Sequence, residues 1–335
     1  MKKKLLLALL GLGLLMTFLI ALTIGPVQIK IWTVVQILCS KIIKITPVWP
    51  DNFQEIILNV RLPRIFLGLL VGCALSISGC SMQALFRNPM ASPYVCGVSS
   101  GGAFGASLVI ILKASQSWIM PVAFFFSLLT IFIVYYVAKT GRKVSSETLL
   151  LSGIALSLFF SAATSFLQYA AEEGELRQIV FWLMGGLWAS SWSKVKIVIP
   201  VIFSGTIGLL FFYKELNILL LGEEQAQDIG VNVEKTRKII LVLTAFVTAG
   251  AVAACGVIGF VGLIIPHIMR ILIGPDHRFL LPASCLGGSI FLVWVDTFAR
   301  TLISPTELPV GIITAMIGVP FFLFLLRKRK KLSGF

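Results

Sequence analysis

The chain has 335 residues, of which 58% are hydrophobic and only 13% are charged, and its formal net charge is +14. Soluble domains are about half apolar and about a quarter charged, so this composition excludes an ordinary soluble protein and indicates an integral membrane protein. The lysines and arginines stand in short tracts between apolar runs, such as AKTGRK, EKTRK and LLRKRKK. Such tracts are typical of the loops that set membrane topology, and they do not predict nucleic-acid binding.

Ten apolar runs follow one another along the chain, each roughly 17 to 22 residues long and therefore able to cross the roughly 30 Å hydrocarbon core as a helix. The runs are apolar on every side, whereas the strands of a membrane barrel alternate with period two. The predicted fold class is therefore all-α, with about ten transmembrane helices. The predicted spans are 5–24, 62–80, 94–112, 119–138, 149–170, 195–213, 239–255, 257–273, 279–299 and 308–326.

The first span opens with MKKK like a signal peptide, but its apolar run is long and lacks a clear cleavage site. We expect it to remain as a transmembrane helix. Ten spans put both termini on one side, and the basic tracts, including the terminal RKRKK, then face the cytoplasm. The apolar segment AACGVIG between the seventh and eighth spans leaves one alternative open, a re-entrant segment that reduces the count to nine. The charge rule favours ten, because nine spans would put the basic tail outside.

An outer group of arginines follows from this topology. The second span begins on the outer side at RLPR, residues 61–64, and Arg300 ends the ninth span on the same side. The proline of RLPR suits the first turn of a helix. Three interpretations of Arg61, Arg64 and Arg300 stay open. They are docking of an acidic partner through bidentate bonds, snorkelling to lipid headgroups, and a local ion pair between Arg300 and Asp296, one turn earlier.

The longest polar insertion, residues 214–238, faces inside in this topology. It contains Glu224, Ala226 and Gly230 in the outline E-x-A-x-x-x-G, which predicts short helices broken by a glycine turn, with acids at their N-terminal ends. Such a segment suits docking into a cleft of another protein. The alternative is an amphipathic loop helix without a partner.

Glycines recur at helix-packing intervals in several spans. In lipid, small side chains let helix backbones approach closely, so we interpret these glycines as packing positions rather than as the lining of a substrate path. The glycine-rich GVSSGGAFG lacks the G-x-x-x-x-G-K-[ST] pattern of a nucleotide P-loop, so any ATP that drives transport must be hydrolysed by another polypeptide. The predicted packing positions are Gly68, Gly72, Gly97, Gly101, Gly105, Gly259 and Gly262.

The sequence contains no pattern that predicts catalysis or metal binding. Its six cysteines stand singly in or beside apolar stretches, and its two histidines form no H-E-x-x-H motif. We therefore predict no catalytic residue, no metal site, no cofactor and no enzyme activity. Asp296 is the one acid clearly inside a span, whereas a proton-coupled carrier places several ionisable groups near the midplane. An ion-coupled secondary carrier is nevertheless the alternative from another class.

Six stretches carry a resemblance to a known family, and they extend over nearly the whole chain from about residue 55 onward. They closely resemble the membrane permeases of type II ABC importers, the family that imports iron–siderophore complexes, haem and cobalamin. The stretches are RLPRIFLGLLVGCALSISGCSMQALFRNPMASPYVCGVSSGGAFGA, LLLSGIALS, FWLMGGLWASSW, LGEEQAQDIGV, GVIGFVGLIIPHIMRILIGPDHRFLLPAS and ELPVGIITAMIGVPFFLFLLRK.

The resemblance implies a type II ABC importer permease fold, with a single transmembrane permease domain over residues 1–335 that works as a homodimer in membrane lipid. Two cytoplasmic ATPase subunits and one extracytoplasmic substrate-binding protein are the implied partners. Glutamates of the binding protein are implied to meet Arg61, Arg64 and Arg300, and the loop 214–238 to form coupling helices that enter a cleft on the ATPase. The implied coupling residues are Gly222, Glu223, Glu224, Ala226, Asp228 and Gly230.

The implied function is the permease step of ATP-driven import across a bacterial or archaeal cytoplasmic membrane, by alternating access. The implied cargo is an iron–siderophore, haem or similar metal chelate. Cobalamin and molybdate-type oxyanions are alternative cargoes, and no residue in the sequence separates them. The fifth and tenth helices are implied to supply much of the path. A purely structural or signalling membrane subunit is a further alternative, and it would tolerate charge reversal at the three outer arginines.

Overall fold

Within the residues that the structure describes, 2–41, 43, 46, 49–140 and 143–332, a computed structural model contains ten helices that coincide with the ten predicted spans. Seven are long and apolar enough to cross a membrane, and α5, α13 and α15 of the list below are the shorter apolar helices. The helices are α1 (Lys2–Thr23), α2 (Ile31–Cys39), α3 (Asp51–Glu55), α4 (Leu62–Leu85), α5 (Val98–Ile111), α6 (Ile119–Ala138), α7 (Ser146–Ala170), α8 (Glu173–Met184), α9 (Trp192–Phe211), α10 (Tyr213–Leu219), α11 (Glu223–Asp228), α12 (Val233–Cys255), α13 (Val261–Ile273), α14 (His277–Ala299) and α15 (Val310–Leu332).

The all-α class is confirmed, with one very short addition. Two strands of two residues each, β1 (Lys139–Thr140) and β2 (Lys143–Val144), pair antiparallel between α6 and α7. The hairpin leads directly into α7, whose N-cap Ser145 accepts a hydrogen bond from the backbone N–H of Thr148. Outside this hairpin, the connections between the spanning helices are short helices and turns.

The helix bundle has two ends, which we name the α8 end and the α11 end after the short helices that lie there. The Lys3 ammonium lies 5.5 Å from the centre of the Phe279 ring, and Asn217 of α10 donates a 2.9 Å hydrogen bond to Asp276. The starts of α1 and α14 therefore share the α11 end. Gly311 at the start of α15 bonds to Gly185, just after α8. The chain thus starts and α15 finishes at the α11 end, as an even number of spans requires.

Three helices form the core of the bundle. The apolar windows of the helix containing α4, of α12 and of α14 are 78%, 72% and 61% buried, against 17% for α1 and 22% for α7. In lipid, apolar area alone does not hold helices together, so close backbone packing must do it. The small residues of GCALSISGCS in α4 allow such packing on several sides at once.

Gly72 and Gly262 lie where α4 meets its two closest neighbours. A methyl group on Gly72 would lie 3.0 Å from Cα of Ser289 in α14, and one on Gly262 of α13 would lie 2.6 Å from the Leu75 carbonyl oxygen of α4. Gly68, also on α4, faces Leu187 at 3.3 Å. Backbones this close leave no room for a side chain at Gly72 and Gly262, whereas Gly68 is bordered by side-chain atoms at a tight van der Waals distance.

A second glycine row joins α5 to α6. Methyl groups on Gly101 and Gly105 would lie 2.7 Å and 2.8 Å from the carbonyl oxygens of Phe126 and Val122. Gly97 precedes α5 with a φ of +82°, a left-handed conformation that glycine adopts without strain. Gly259 departs from the packing prediction, because a methyl group there would meet nothing within 4 Å. It lies in a non-helical break, where helix-packing intervals have no meaning.

The break between α12 and α13 resolves the alternative left open by AACGVIG. Residues 256–260 are not helical, and the Tyr94 hydroxyl donates a 2.7 Å hydrogen bond to the Ile258 carbonyl. The Cys255 carbonyl accepts a 2.8 Å bond from the N–H of Gly186. α12 runs away from the α11 end and α13 returns to it as a separate helix against α4, α14 and α15. The count of ten spans therefore stands.

The helix that carries RLPR begins earlier than predicted. α3 continues through a π-helical segment, Ile56–Arg61, into α4, so the helix starts at Asp51 rather than at residue 62. Pro63 does stand in the first α-helical turn of α4. In the π register its missing N–H leaves the Leu58 carbonyl without a backbone donor. The indole N–H of Trp192 fills that place at 2.8 Å.

Replacing Gly72 by alanine should lower the free energy of unfolding by roughly 1 to 3 kcal/mol, because the added methyl group meets the main chain of α14. The matched controls are Gly11→Ala in α1 and Gly259→Ala, since neither added methyl group has a neighbour within 4 Å. Thermal unfolding in detergent, followed by tryptophan fluorescence, measures the difference. An unchanged midpoint for Gly72→Ala, or an equal loss in the controls, would contradict the packing described here.

Candidate functional site

Arg64 is the centre of a buried ion-pair network at the α8 end. Its side chain is only 7% exposed, and its Nε and Nη2 donate to the two carboxylate oxygens of Asp296 at 2.9 and 2.8 Å. Its Nη1 reaches Glu307 at 2.9 Å. The guanidinium therefore joins α4, α14 and the loop before α15. Two carboxylates on one planar fork give the bidentate geometry in which arginine binds most strongly.

Arg61 and Arg300 complete the network by binding main-chain carbonyls. Nη2 of Arg300 donates to the Ala21 carbonyl at 2.7 Å, and Nη1 of Arg61 donates to the Leu22 carbonyl at 2.5 Å. Both carbonyls lie in the last turn of α1, where a helix has no acceptor partners of its own. Cations are also favoured there by the helix dipole. The two arginines thus cap the C-terminal end of α1.

The local ion pair considered from the sequence is the weaker contact of Asp296. Nε of Arg300 lies 4.0 Å from Asp296, beyond hydrogen-bond distance, whereas Arg64, 232 residues away in sequence, binds Asp296 twice. Asp296 therefore serves mainly a contact between helices. No spacing rule along one helix could reveal that partner.

All three outer arginines are buried, with 3%, 6% and 3% of Arg61, Arg64 and Arg300 exposed. Docking of an acidic partner on them stays a prediction, and their burial favours an intramolecular role. Snorkelling to headgroups is not what these side chains do here, since their guanidiniums bind Asp296, Glu307 and the end of α1.

The second candidate site is the segment that the sequence proposes for coupling. α10 and α11 are two short helices, and Gly222 between them has a φ of +128°, while Gly230 after α11 has a φ of +94°. Both conformations require glycine in practice. Glu223 and Glu224 stand in the first turn of α11, as the outline indicates, and Ala226 is fully buried beneath the helix.

The outer face of α11 is exposed to solvent. Glu224 and Asp228 are both exposed. The carboxylates of Glu223 and Glu224 stand in the first turn, where they interact favourably with the positive end of the helix dipole. At the base of α11, Glu223 pairs with Arg237 of α12. In the sequence, Arg237 is one of three cations in a basic tract that is predicted to face the cytoplasm. In the structure it is 2% exposed, whereas Lys235 and Lys238 are exposed. Its burial has no signal in the sequence.

The sequence did not single out a cavity of about 370 Å³ at the α8 end. It lies between α8 and the ends of α5, α6 and α12, and its walls include Trp182, Trp188 and Lys194. At the same end of the bundle, Lys113 pairs with Glu172 and Glu175, and hydrogen bonds to these two carboxylates raise the pKa of the Lys113 amine. Exposed pairs of this kind add little to the free energy of unfolding, so their main effect is on the orientation of α8.

The described part of the chain holds no group of three or more His, Cys, Asp or Glu side chains placed to bind a metal ion. Its cysteines are free thiols. The molecule is thus a polytopic helical membrane protein whose distinctive features are a buried charge network at one end of the bundle and a glycine-framed, acidic short helix at the other.

Comparison with known proteins identifies the family. The model of the FecCD transport family matches residues 13–328. The cobalamin import system permease protein BtuC of Halobacterium salinarum is 48% identical over 84% of this chain and 76% of its own. The hemin transport system permease protein HmuU of Yersinia pestis is 42% identical over 85% and 87%. The chain belongs to the FecCD transport family.

A solved structure described as an inward-facing conformation of a metal-chelate type ABC transporter shares the fold. It has a TM-score of 0.86 and 36% sequence identity, and the match covers 96% of this chain and 99% of the other. The recognition of the family from the RLPR, LGEEQAQDIGV and ELPVG stretches is therefore confirmed.

Replacing Asp296 by asparagine should lower the free energy of unfolding by about 3 to 5 kcal/mol, because it leaves buried Arg64 without its main counter-ion. Glu307→Gln is the matched control at the other end of the same guanidinium. The Glu307 side chain is 31% exposed, and its loss should cost about 1 kcal/mol or less. Thermal unfolding of both variants in detergent makes the comparison, and equal effects would contradict the assignment of Asp296 as the main counter-ion of Arg64.

Proposed function

We propose that the protein is the membrane-spanning permease subunit of an ATP-driven importer of the type II ABC class, with a metal chelate as cargo. The observation that carries the proposal is the extent of the likeness, since the family model covers residues 13–328. Fold alone does not fix function. The stronger support is therefore the sequence identity with two named import permeases over more than four-fifths of this chain.

The proposed working unit is a homodimer, whose central path opens alternately to the two sides of the membrane. Two helices are available for this contact, because one subunit leaves much of their apolar surface uncovered. α7 is 22% buried over its apolar window, and α15 exposes Met316, Val319 and Leu323. A second copy packed against these helices would cover their apolar surface. The fifth and tenth spans would then border the path.

Small polar side chains on α7 support the same assignment. A groove of about 200 Å³ beside α7 is lined by Ser100, Ser161, Ser165 and Gln168 among others. Uncharged polar groups in a membrane helix usually face a packed interface or a hydrated cavity. A wall of this kind passes a bulky cargo without holding it tightly, and tight binding would oppose release.

The proposed site for the ATPase is α11, at the end of the bundle that we assign to the cytoplasm. Its exposed acidic face and the glycine turns that set it off from α10 and α12 suit insertion into a cleft on another protein. The permease itself would make no covalent chemistry and carry no cofactor, because the sequence has no P-loop and ATP would be bound by the partner.

An extracytoplasmic binding protein would deliver cargo at the α8 end. The three arginines can serve such docking only through a change from the buried arrangement described above. A charge-reversal variant of Arg64 would also break its ion pairs with Asp296 and Glu307, so loss of the binding protein alone would not show a direct contact with Arg64. Any docking test there needs a parallel measurement of stability.

The alternatives to this proposal are two other cargoes and one other class of transporter. Cobalamin remains open, since one named relative imports it and another transports hemin, and molybdate-type oxyanions stay open as well. An ion-coupled carrier is less well supported. Asp296 is the one acid clearly inside a predicted span and is bound at 2.8 Å by Arg64, whereas a proton-coupled carrier places several ionisable groups near the midplane.

Purification of the protein from its own cells, with mass spectrometry of what accompanies it, tests the proposal. We expect a P-loop ATPase and an extracytoplasmic binding protein. The double variant Glu224→Lys/Asp228→Lys should retain the binding protein but lose the ATPase roughly tenfold, a loss equivalent to about 1.4 kcal/mol. Glu173→Lys, an exposed acid on α8, is the matched control and should retain the ATPase. If the wild type brings down no ATPase, the importer proposal fails.

A further inference from the structure

Arg237 connects three separate segments at the α11 end. Its guanidinium pairs with Glu223 in the first turn of α11 and with Glu234 of its own helix α12 at 3.1 Å. The same Nη1 donates to the Val144 carbonyl of β2 at 2.5 Å. One side chain thus bridges α11, the start of α12 and the β hairpin.

The Val144 contact reaches α7 almost directly. Val144 ends β2, and after the N-cap Ser145 the helix α7 begins at residue 146. Only Ser145 separates Val144 from the first residue of α7. A displacement of Val144 is therefore passed along the main chain to the first turn of α7.

The two helices that Arg237 joins differ in how firmly they are held. α12 is 72% buried over its apolar window and belongs to the core, whereas α7 is 22% buried and its main contacts within the subunit are with α5, α6 and the turn before α5. Fewer contacts within the subunit hold α7 than hold α12, so a displacement of α7 disturbs less of the core. The bridge from α11 ends on the less buried of the two helices.

Arginine suits this bridge, and lysine does not. The planar fork donates in fixed directions to acceptors on three segments, whereas an ammonium is a single point donor on a flexible stem. Burial increases the effect, because an ion pair away from water is less screened. The Arg237 side chain is 3% exposed, against 49% for Glu223 and 31% for Glu234.

We propose that Arg237 is the positioning residue that passes movements of α11 to α7 through Val144. The inference rests on the proposed function, in which α11 docks on the ATPase. When ATP closes the ATPase subunits, α11 moves with them. The ion pair of Glu223 with Arg237 transmits this movement to Arg237, and the bond of Arg237 to Val144 transmits it to α7, the helix beside the proposed transport path. Arg237 touches no cargo and no nucleotide.

The test measures hydrogen exchange by mass spectrometry in the complex of the permease with its co-purified ATPase, with and without vanadate-trapped nucleotide. In the wild type, trapping should change exchange in residues 222–230 and also in 139–152. In Arg237→Gln the first change should persist and the second should fall at least about fivefold. ATP hydrolysis and retention of the ATPase should stay within about twofold of wild type.

Two further variants keep the test decisive. Glu223→Gln removes the partner on α11 while Arg237 keeps Glu234, so the fold is spared and the response of 139–152 should again weaken. Lys235→Gln removes an exposed neighbouring cation and should leave both responses unchanged.

Three results overturn the inference. They are an unchanged response of 139–152 in both bridge variants, a wild-type response confined to 222–230, and loss of the ATPase from Arg237→Gln. If trapping changes nothing at 222–230 in the wild type, the docking of α11 fails instead, and with it the proposed function.

Discussion

Satisfying backbone polar groups away from water is the constraint on which the rest of this structure depends. Inside a bilayer an unpaired N–H or carbonyl has no solvent to bind, so every interruption of a helix needs a designated partner. Two arginines supply it where α1 ends, the Trp192 indole supplies it where Pro63 removes a donor, and the Tyr94 hydroxyl supplies it in the break before α13. Polar side chains in this protein mostly serve its main chain.

Close packing of glycines follows from the same environment. Lipid tails are as apolar as leucine side chains, so burying apolar surface between two helices gives little free energy. Close approach of the backbones stabilises the contact through van der Waals packing instead. α4 achieves this against α13 and α14 because glycine stands at each crossing. Its neighbours then bury 78% of the apolar window of that helix, whereas the peripheral helices α1 and α7 are 17% and 22% buried.

Much of the fold could be read from the sequence, since span length, apolarity and the placement of basic tracts are local properties that bilayer physics fixes. The start of the second helix at Asp51 was missed, because its first turns are polar and π-helical. The contact partners of the charged side chains could not be predicted from local sequence patterns. The contact of Arg64 with Asp296 joins residues 232 positions apart, and Arg237 is buried while Lys235 is exposed although both stand in the same basic tract. Gly259 fits a packing interval but lies outside any helix.

The capping of α1 by Arg61 and Arg300 uses main-chain carbonyls of Ala21 and Leu22 rather than their side chains. Recognition through main-chain carbonyls does not depend on which side chains the recognised segment carries. Any apolar helix of the right length that ends at the same depth would present the same oxygens. Substitution of Ala21 or Leu22 by another apolar residue should therefore leave the capping bonds intact, whereas a change in the length of α1 would move its last carbonyls away from the two arginines.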